Sequence, residues 1–175
     1  MWLQVLSPLL DWPFRVLTFL GNEGFYLVLL PLVYWCVDKR TGARLTFLFL
    51  LSAYVNSAAK ELIHQPRPFE YDSRVKALVR AEGGGLPSGH TQHAVVVWSY
   101  LAMRLSRLWA WGIAVLLMIG IPLSRLYLGV HFPTALLGGY ILGTLLLLLY
   151  ERLEPRIEAV IAAKNLAWQL AIALI

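Results

Sequence analysis

The chain has 175 residues, 59% hydrophobic and 14% charged, whereas soluble domains run at about 45–50% apolar and about 25% charged. That excludes an ordinary soluble globule and points to a single membrane domain. The formal charge of +5 suits anionic headgroups or an anionic substrate, and the positions of the charges must separate the two.

Crossing about 30 Å of hydrocarbon takes roughly 20 helical residues. Residues 1–20 make a marginal first span, interrupted by Asp11, Pro13 and Arg15. Arg15 is the first basic residue, so the features of a secretory signal are not visible and the N-terminus is expected to be retained. Cleaner helices are expected at 22–38, 44–63, 91–106, 108–127 and 133–151. A second marginal stretch, 157–175, carries Glu158, Lys164, Asn165 and Gln169. Cys36 is the lone cysteine and can form no intrachain disulfide. Trp12, Trp35, Trp109 and Trp111 fall near segment ends, where indole rings anchor at headgroup depth. Gly139 and Gly143 form a small-xxx-small pair that permits close helix approach.

If each segment spans, the basic connectors 38–44, 104–107 and 151–156 share one face, which the positive-inside tendency makes cytoplasmic. Connectors 64–90 and 128–132 then share the opposite face, and they hold most of the unusual residues. Lys60 lies near a helix end, and Pro66 and Pro68 stop that helix so that Arg67 projects from the loop. In EGGGLPSGHTQHA (82–94), the glycines free backbone N–H groups to turn inward. A helix beginning near Thr91 aims its positive dipole end at Ser88, Gly89 and His90. Ser124 and Arg125 close another helix, and His131 precedes Pro133, a residue suited to a first helical turn.

Lys60, Arg67 and Arg125 with that helix start make an anion hole whose natural occupant is a tetrahedral phosphate. His90 and His131 supply a nucleophile and a proton donor for phosphoryl transfer. No carboxylate cluster able to hold magnesium accompanies them, so the expectation is metal-independent chemistry through a phosphohistidine, with no cofactor. His64 is a pocket-edge candidate and His93 reads as structural. Arg74, Lys76 and Arg80, interleaved with Glu70, Asp72 and Glu82, read as a solvated mixed-charge loop. The long 64–90 connector is a candidate lid.

The chain resembles the type 2 phosphatidic acid phosphatase (PAP2) family, whose signature is K-x6-RP, PSGH and SR-x5-H-x3-D. Lys60 to Arg67-Pro68, Pro87-Ser88-Gly89-His90, and Ser124-Arg125 with His131 match it in order over about residues 60–135. The resemblance implies that His131 attacks phosphorus, that His90 protonates the leaving group and later activates water, and that Lys60, Arg67 and Arg125 bind phosphate oxygens. Ser88 and Gly89 would add hydroxyl and backbone donors. The implied fold is an all-α integral membrane bundle of six transmembrane helices with the site at their extracytoplasmic ends. Residues 1–156 would form the core, with 1–20 as its first helix and 157–175 as an additional apolar helix. The expected partners are a lipid phosphate or diphosphate and membrane lipids, not nucleic acid. The expected location is a bacterial inner membrane.

Ala135 stands where the signature needs aspartate. That aspartate would take a hydrogen bond from the far ring nitrogen of His131, setting its tautomer and stabilising its positive charge. The expectation is therefore an inactivated variant of an active enzyme, or a natural relative with weak or altered activity. Glu70, Asp72 and Glu82 could in principle substitute from the loop. The rival readings are a non-catalytic lipid-phosphate binder or transporter, and an ion transporter. The second is disfavoured because the charges sit at helix ends rather than mid-membrane.

Overall fold

The computed structural model describes residues 4 and 7–162, and every regular element among them is helical. The order is α1 (Asp11–Phe19), α2 (Glu23–Cys36), α3 (Lys39–Ile63), α4 (Pro68–Tyr71), α5 (Gly89–Leu105), α6 (Leu108–Tyr127) and α7 (Pro133–Ala162).

Local chemistry sets the ends of the central helices. Asp38 caps α3 by accepting from the Thr41 N–H at 2.7 Å. The helix stops at His64, whose φ of 48° is left-handed, just ahead of Pro66 and Pro68. Ser88 caps α5 by accepting from the Thr91 N–H, so this helix starts at Gly89, two residues before the expected Thr91. The difference arises because Ser88, not a residue nearer Thr91, supplies the capping oxygen.

Helix α5 packs against α3, α6 and α7, and Ala94, Val95, Val96 and Val97 are all buried. With Thr91, Gln92 and His93 buried as well, the first half of α5 is enclosed on all sides and occupies the centre of the bundle. Glycine brings α7 onto it. A Cβ on Gly139 would lie 2.7 Å from the Ser88 carbonyl oxygen, and one on Gly143 would lie 2.9 Å from that of Gln92. The expected close approach is thus backbone against backbone. Large apolar side chains such as Leu27, Leu116, Ile119, Leu145 and Leu148 face outward, as a lipid-facing surface requires. Trp12, Trp35 and Trp109 are also exposed.

Among the described residues, two helices can cross a membrane by length and composition, Leu108–Tyr127 and Pro133–Arg156. The pair α1 and α2, bent by 51° at the break between them, qualifies as a third only if taken as one span. The expected first helix over 1–20 is therefore, in its described part, a short 9-residue helix joined to α2 at a bend. The expected connector at 151–156 is helical: α7 runs through it to Ala162. Its two carboxylates are paired without a loop, since Glu154 pairs with Arg44 and Glu151 with Arg104. The rest of the expected additional helix at 157–175 lies outside the described residues.

These ion pairs gather the segments around 44, 104 and 151–154 at one end of the bundle. At the other end Arg67 donates to the Val130 carbonyl, the Leu78 N–H to the Leu128 carbonyl, and Arg15 to the Leu78 carbonyl. The 64–90 and 128–132 connectors are thereby stitched together.

Candidate active site

A cavity of about 280 Å³ opens at this second end, lined by Asn22, Lys60, Arg67, Gly89, His90, His93, Arg125 and His131 together with Glu23 and the loop residues 80–82. Five elements converge there. The end of α3 brings Lys60, the loop before α4 brings Arg67, the start of α5 brings Gly89 and His90, the end of α6 brings Arg125, and the following loop brings His131.

The two arginines are held by neutral oxygens. Arg67, almost fully buried, donates through Nε to the Gly83 carbonyl at 3.0 Å, through Nη1 to Val130 at 3.0 Å, and through Nη2 to Glu82 at 2.5 Å. Three of its five N–H groups thus fasten the loop. Nη1 also lies 3.5 Å from His131 Nε2. Arg125 donates through Nη1 to the Thr18 hydroxyl at 2.5 Å, while its buried Nε has no partner. Among the described residues no carboxylate lies within ion-pair distance of Lys60, Arg67 or Arg125. Three positive charges left in this state define a site for an anion.

Both histidines are oriented by oxygen. His90 Nε2 lies 2.7 Å from Asn22 Oδ1. His131 Nδ1 lies 2.7 Å from the Gly85 carbonyl oxygen; a carbonyl only accepts, so Nδ1 carries the proton and Nε2 is left with the lone pair when the ring is neutral. His131 lies in the connector outside the helices. Burial first, then the charges of Arg125 and Arg67, depress its pKa from 6.5 to about 3.

Other expected residues fall elsewhere. Ser88 is fully buried as the α5 cap and is not in the cavity lining, whereas Gly89 is; its hydroxyl also accepts from Thr91 Oγ1 at 3.0 Å. His64 lines a larger outer cavity with Lys60, Glu61 and Glu82. His93 is packed as expected, with Nδ1 3.0 Å from Ser52 Oγ and its ring 5.0 Å from that of Phe49, and it also reaches the cavity wall. None of the three loop carboxylates takes the place of the missing aspartate. Glu70 accepts from the Arg67 N–H, Asp72 pairs with Arg74, and Glu82 pairs with Arg80. Ala135 is fully buried, and its carbonyl accepts from the Ser88 N–H at 2.9 Å.

Sequence reasoning missed Asn22, Thr18 and Gly85. Asn22 had a weak signal, a polar residue beside Glu23 between two apolar stretches. Thr18 is one hydroxyl in an apolar segment, and Gly85 acts through a backbone atom that carries no sequence signal.

Residues 41–158 match the PAP2 superfamily, and the chain belongs to that family of membrane phosphatases. Phosphatidylglycerophosphatase B of Bacillus subtilis is 28% identical over 167 residues, covering 88% of this chain and 80% of the relative. Sphingosine-1-phosphate phosphatase 2 of Mus musculus is 31% identical over 143 residues, covering 78% of this chain. The chain spans only 40% of that mouse relative. Among solved structures, the PAP2-type phosphatidylglycerolphosphate phosphatase of Bacillus subtilis superposes with a TM-score of 0.74 at 29% identity, covering 86% of this chain and 79% of that one. LpxE of Aquifex aeolicus gives 0.75 at 26%, covering 83% and 87%.

Proposed function

We propose that this protein hydrolyses a lipid phosphate or diphosphate through a phosphohistidine on His131, without a metal ion. The observation that carries the reading is a single cavity lined by both histidines and by three cations, none of which lies within ion-pair distance of a carboxylate among the described residues. A phosphate seated against Lys60, Arg67, Arg125 and the Gly89 N–H has its charge dispersed toward the protein. Nε2 of His131 attacks phosphorus as the bond to the lipid oxygen breaks. His90, carrying a second proton on the nitrogen not held by Asn22, gives that proton to the departing oxygen. In the second half, His90 takes a proton from water, the water oxygen bonds to phosphorus, the P–N bond breaks and inorganic phosphate leaves.

Helices α1, α2, α3, α5, α6 and α7 would form the six-helix membrane core. The site faces the extracytoplasmic side of a bacterial inner membrane, and the 64–90 loop covers it. Support for the orientation comes from the basic residues gathered at the opposite end. Single introduced cysteines in a chain lacking Cys36 test it: reagent outside intact cells should label position 73 and not 41, and the reverse pattern would invert the orientation.

The substrate is an apolar chain bearing a terminal phosphate, a description shared by the phosphates of prenyl alcohols, sphingoid bases and glycerolipids. Release of inorganic phosphate from a panel of these lipids, with an acid-labile phosphoenzyme absent in His131→Ala, tests the chemistry. Ala135 favours a second reading, a lipid-phosphate binder. Tight binding with no phosphate release, unchanged in Ala135→Asp, would establish that reading instead.

A further inference from the structure

The PAP2 signature makes Ala135 look disabling, because the partner of His131 is missing. Yet the far nitrogen of His131 is not unpartnered: it meets the Gly85 carbonyl at 2.7 Å. We propose that the Gly85 carbonyl oxygen is the positioning group of His131 in this chain, holding the ring with Nδ1 protonated and Nε2 facing the cavity in place of the absent carboxylate. The proposal rests on the reading of His131 as nucleophile.

The bond is well placed to act as an orienter. His131 is 4% exposed, so water competes poorly for its N–H. Gly85 is itself fixed, since its N–H donates to the Gln65 carbonyl at 2.7 Å. A Cβ on Gly85 would lie 3.0 Å from the Pro66 carbonyl oxygen and 3.2 Å from that of Gln65, so the segment lies flat against 65–66 and a side chain would push the carbonyl out of register. Three residues on, the Ser88 N–H is tied to the carbonyl of Ala135. The position that lost the aspartate therefore helps to anchor the segment that replaces it.

A neutral carbonyl fixes the tautomer but does not supply the negative charge that would stabilise the imidazolium of the phosphoenzyme. Loss of the orienting aspartate of a serine protease costs about 10⁴ in turnover because the wrong tautomer results. Here the right tautomer is retained, and only the difference between a charged and a neutral acceptor is lost. Ala135→Asp should then raise kcat by only about tenfold, short of the 10²–10⁴ that repair of an unoriented histidine would give.

The test replaces Leu86 in the full chain by its α-hydroxy analogue, which turns the 85–86 amide into an ester and weakens the Gly85 carbonyl as an acceptor without changing a side chain. We expect kcat for a lipid phosphate to fall by about tenfold with KM within about twofold, and the loss to be recovered when Ala135→Asp is added. Unchanged kcat in the ester, or a fall that Ala135→Asp does not recover, would overturn the proposal. The tautomer is read independently of turnover by ¹⁵N-histidine NMR in micelles, with His131→Ala to assign the signal. A protonated Nδ1 in the parent chain and a weakened preference in the ester support the proposal; a protonated Nε2 or exchanging tautomers overturn it. If no arm releases phosphate, the phosphatase reading falls, and the NMR result alone decides the orientation.

Discussion

The two ends of the bundle treat positive charge in opposite ways. At one end Arg44 and Arg104 meet Glu151 and Glu154, and the Arg104 guanidinium also lies 4.7 Å over the Tyr100 ring. At the other, Arg67 and Arg125 are held by backbone carbonyls and the Thr18 hydroxyl, and no carboxylate pairs with them. Neutral acceptors immobilise a guanidinium while leaving its charge available, whereas carboxylates immobilise and cancel it. One end is a clamp between α3, α5 and α7; the other is a receptor for an anion.

The sharpest way to break this contrast is to make the second end resemble the first. In Thr18→Asp a carboxylate would meet Arg125, and affinity for vanadate or a lipid phosphate should fall by about 10–100-fold, the equivalent of one charge-assisted bond of about 1.5–3 kcal/mol. Isothermal titration in detergent reads it. Unchanged affinity would mean that Arg125 does not face the ligand.

Glu154→Gln strikes the opposite end. Arg44 and Arg104 lose a partner at a site only partly open to solvent, and stability should fall by about 1–3 kcal/mol while kcat is kept. Thermal unfolding and phosphate release, measured on one preparation, separate the two effects. A loss of kcat in the still-folded protein would show that the two ends are not independent.

Gly139→Ala tests how the ends are joined. The added Cβ would meet the Ser88 carbonyl at 2.7 Å, so α7 must shift from α5, and both stability and kcat should drop, stability by about 1–3 kcal/mol. Gly112, with open space around it, is the control: Gly112→Ala should leave kcat alone.

The smallest expected effects concern pH and metals. With His131 held at about 3 by burial and neighbouring cations, its ring is neutral throughout the range from pH 5 to 8, and its protonation should put no acid limb on kcat/KM there. A bound carboxylate favours the imidazolium, so Ala135→Asp raises the His131 pKa and brings such a limb toward neutral pH. Identical acid profiles for parent and variant would show that position 135 does not reach His131. Turnover should persist in EDTA; loss restored by added metal would refute the metal-free chemistry.

Much of the frame was legible before any coordinates, because it depends on residue type and period. The apolar segments at 22–38, 44–63, 91–106 and 108–127 appear as helices within a few residues. Lys60, Arg67, His90, Arg125 and His131 meet at one cavity because each sits at a helix end on the same side. The charged turn at 151–156 was misread because its partners, Arg44 and Arg104, are distant in sequence and only folding reveals that they satisfy it. The capping role of Ser88 was not legible, because one hydroxyl can accept from a helix N–H or donate to a ligand and only the direction of the chain shows that it caps α5. The Gly85 carbonyl was invisible in principle, since every residue has one.

The contact of Gly139 and Gly143 with the backbone of α5 has a consequence for the entropy of the site. Helix α5 carries His90, and His131 lies two residues before α7. Where such helices meet through long side chains, each rotamer can be traded for another, and the separation of the groups they carry breathes with those choices. A seam of main-chain atoms has no rotamers to trade. The spacing between the two histidines is therefore settled when the chain folds, and an arriving phosphate has little ordering of these two helices left to impose.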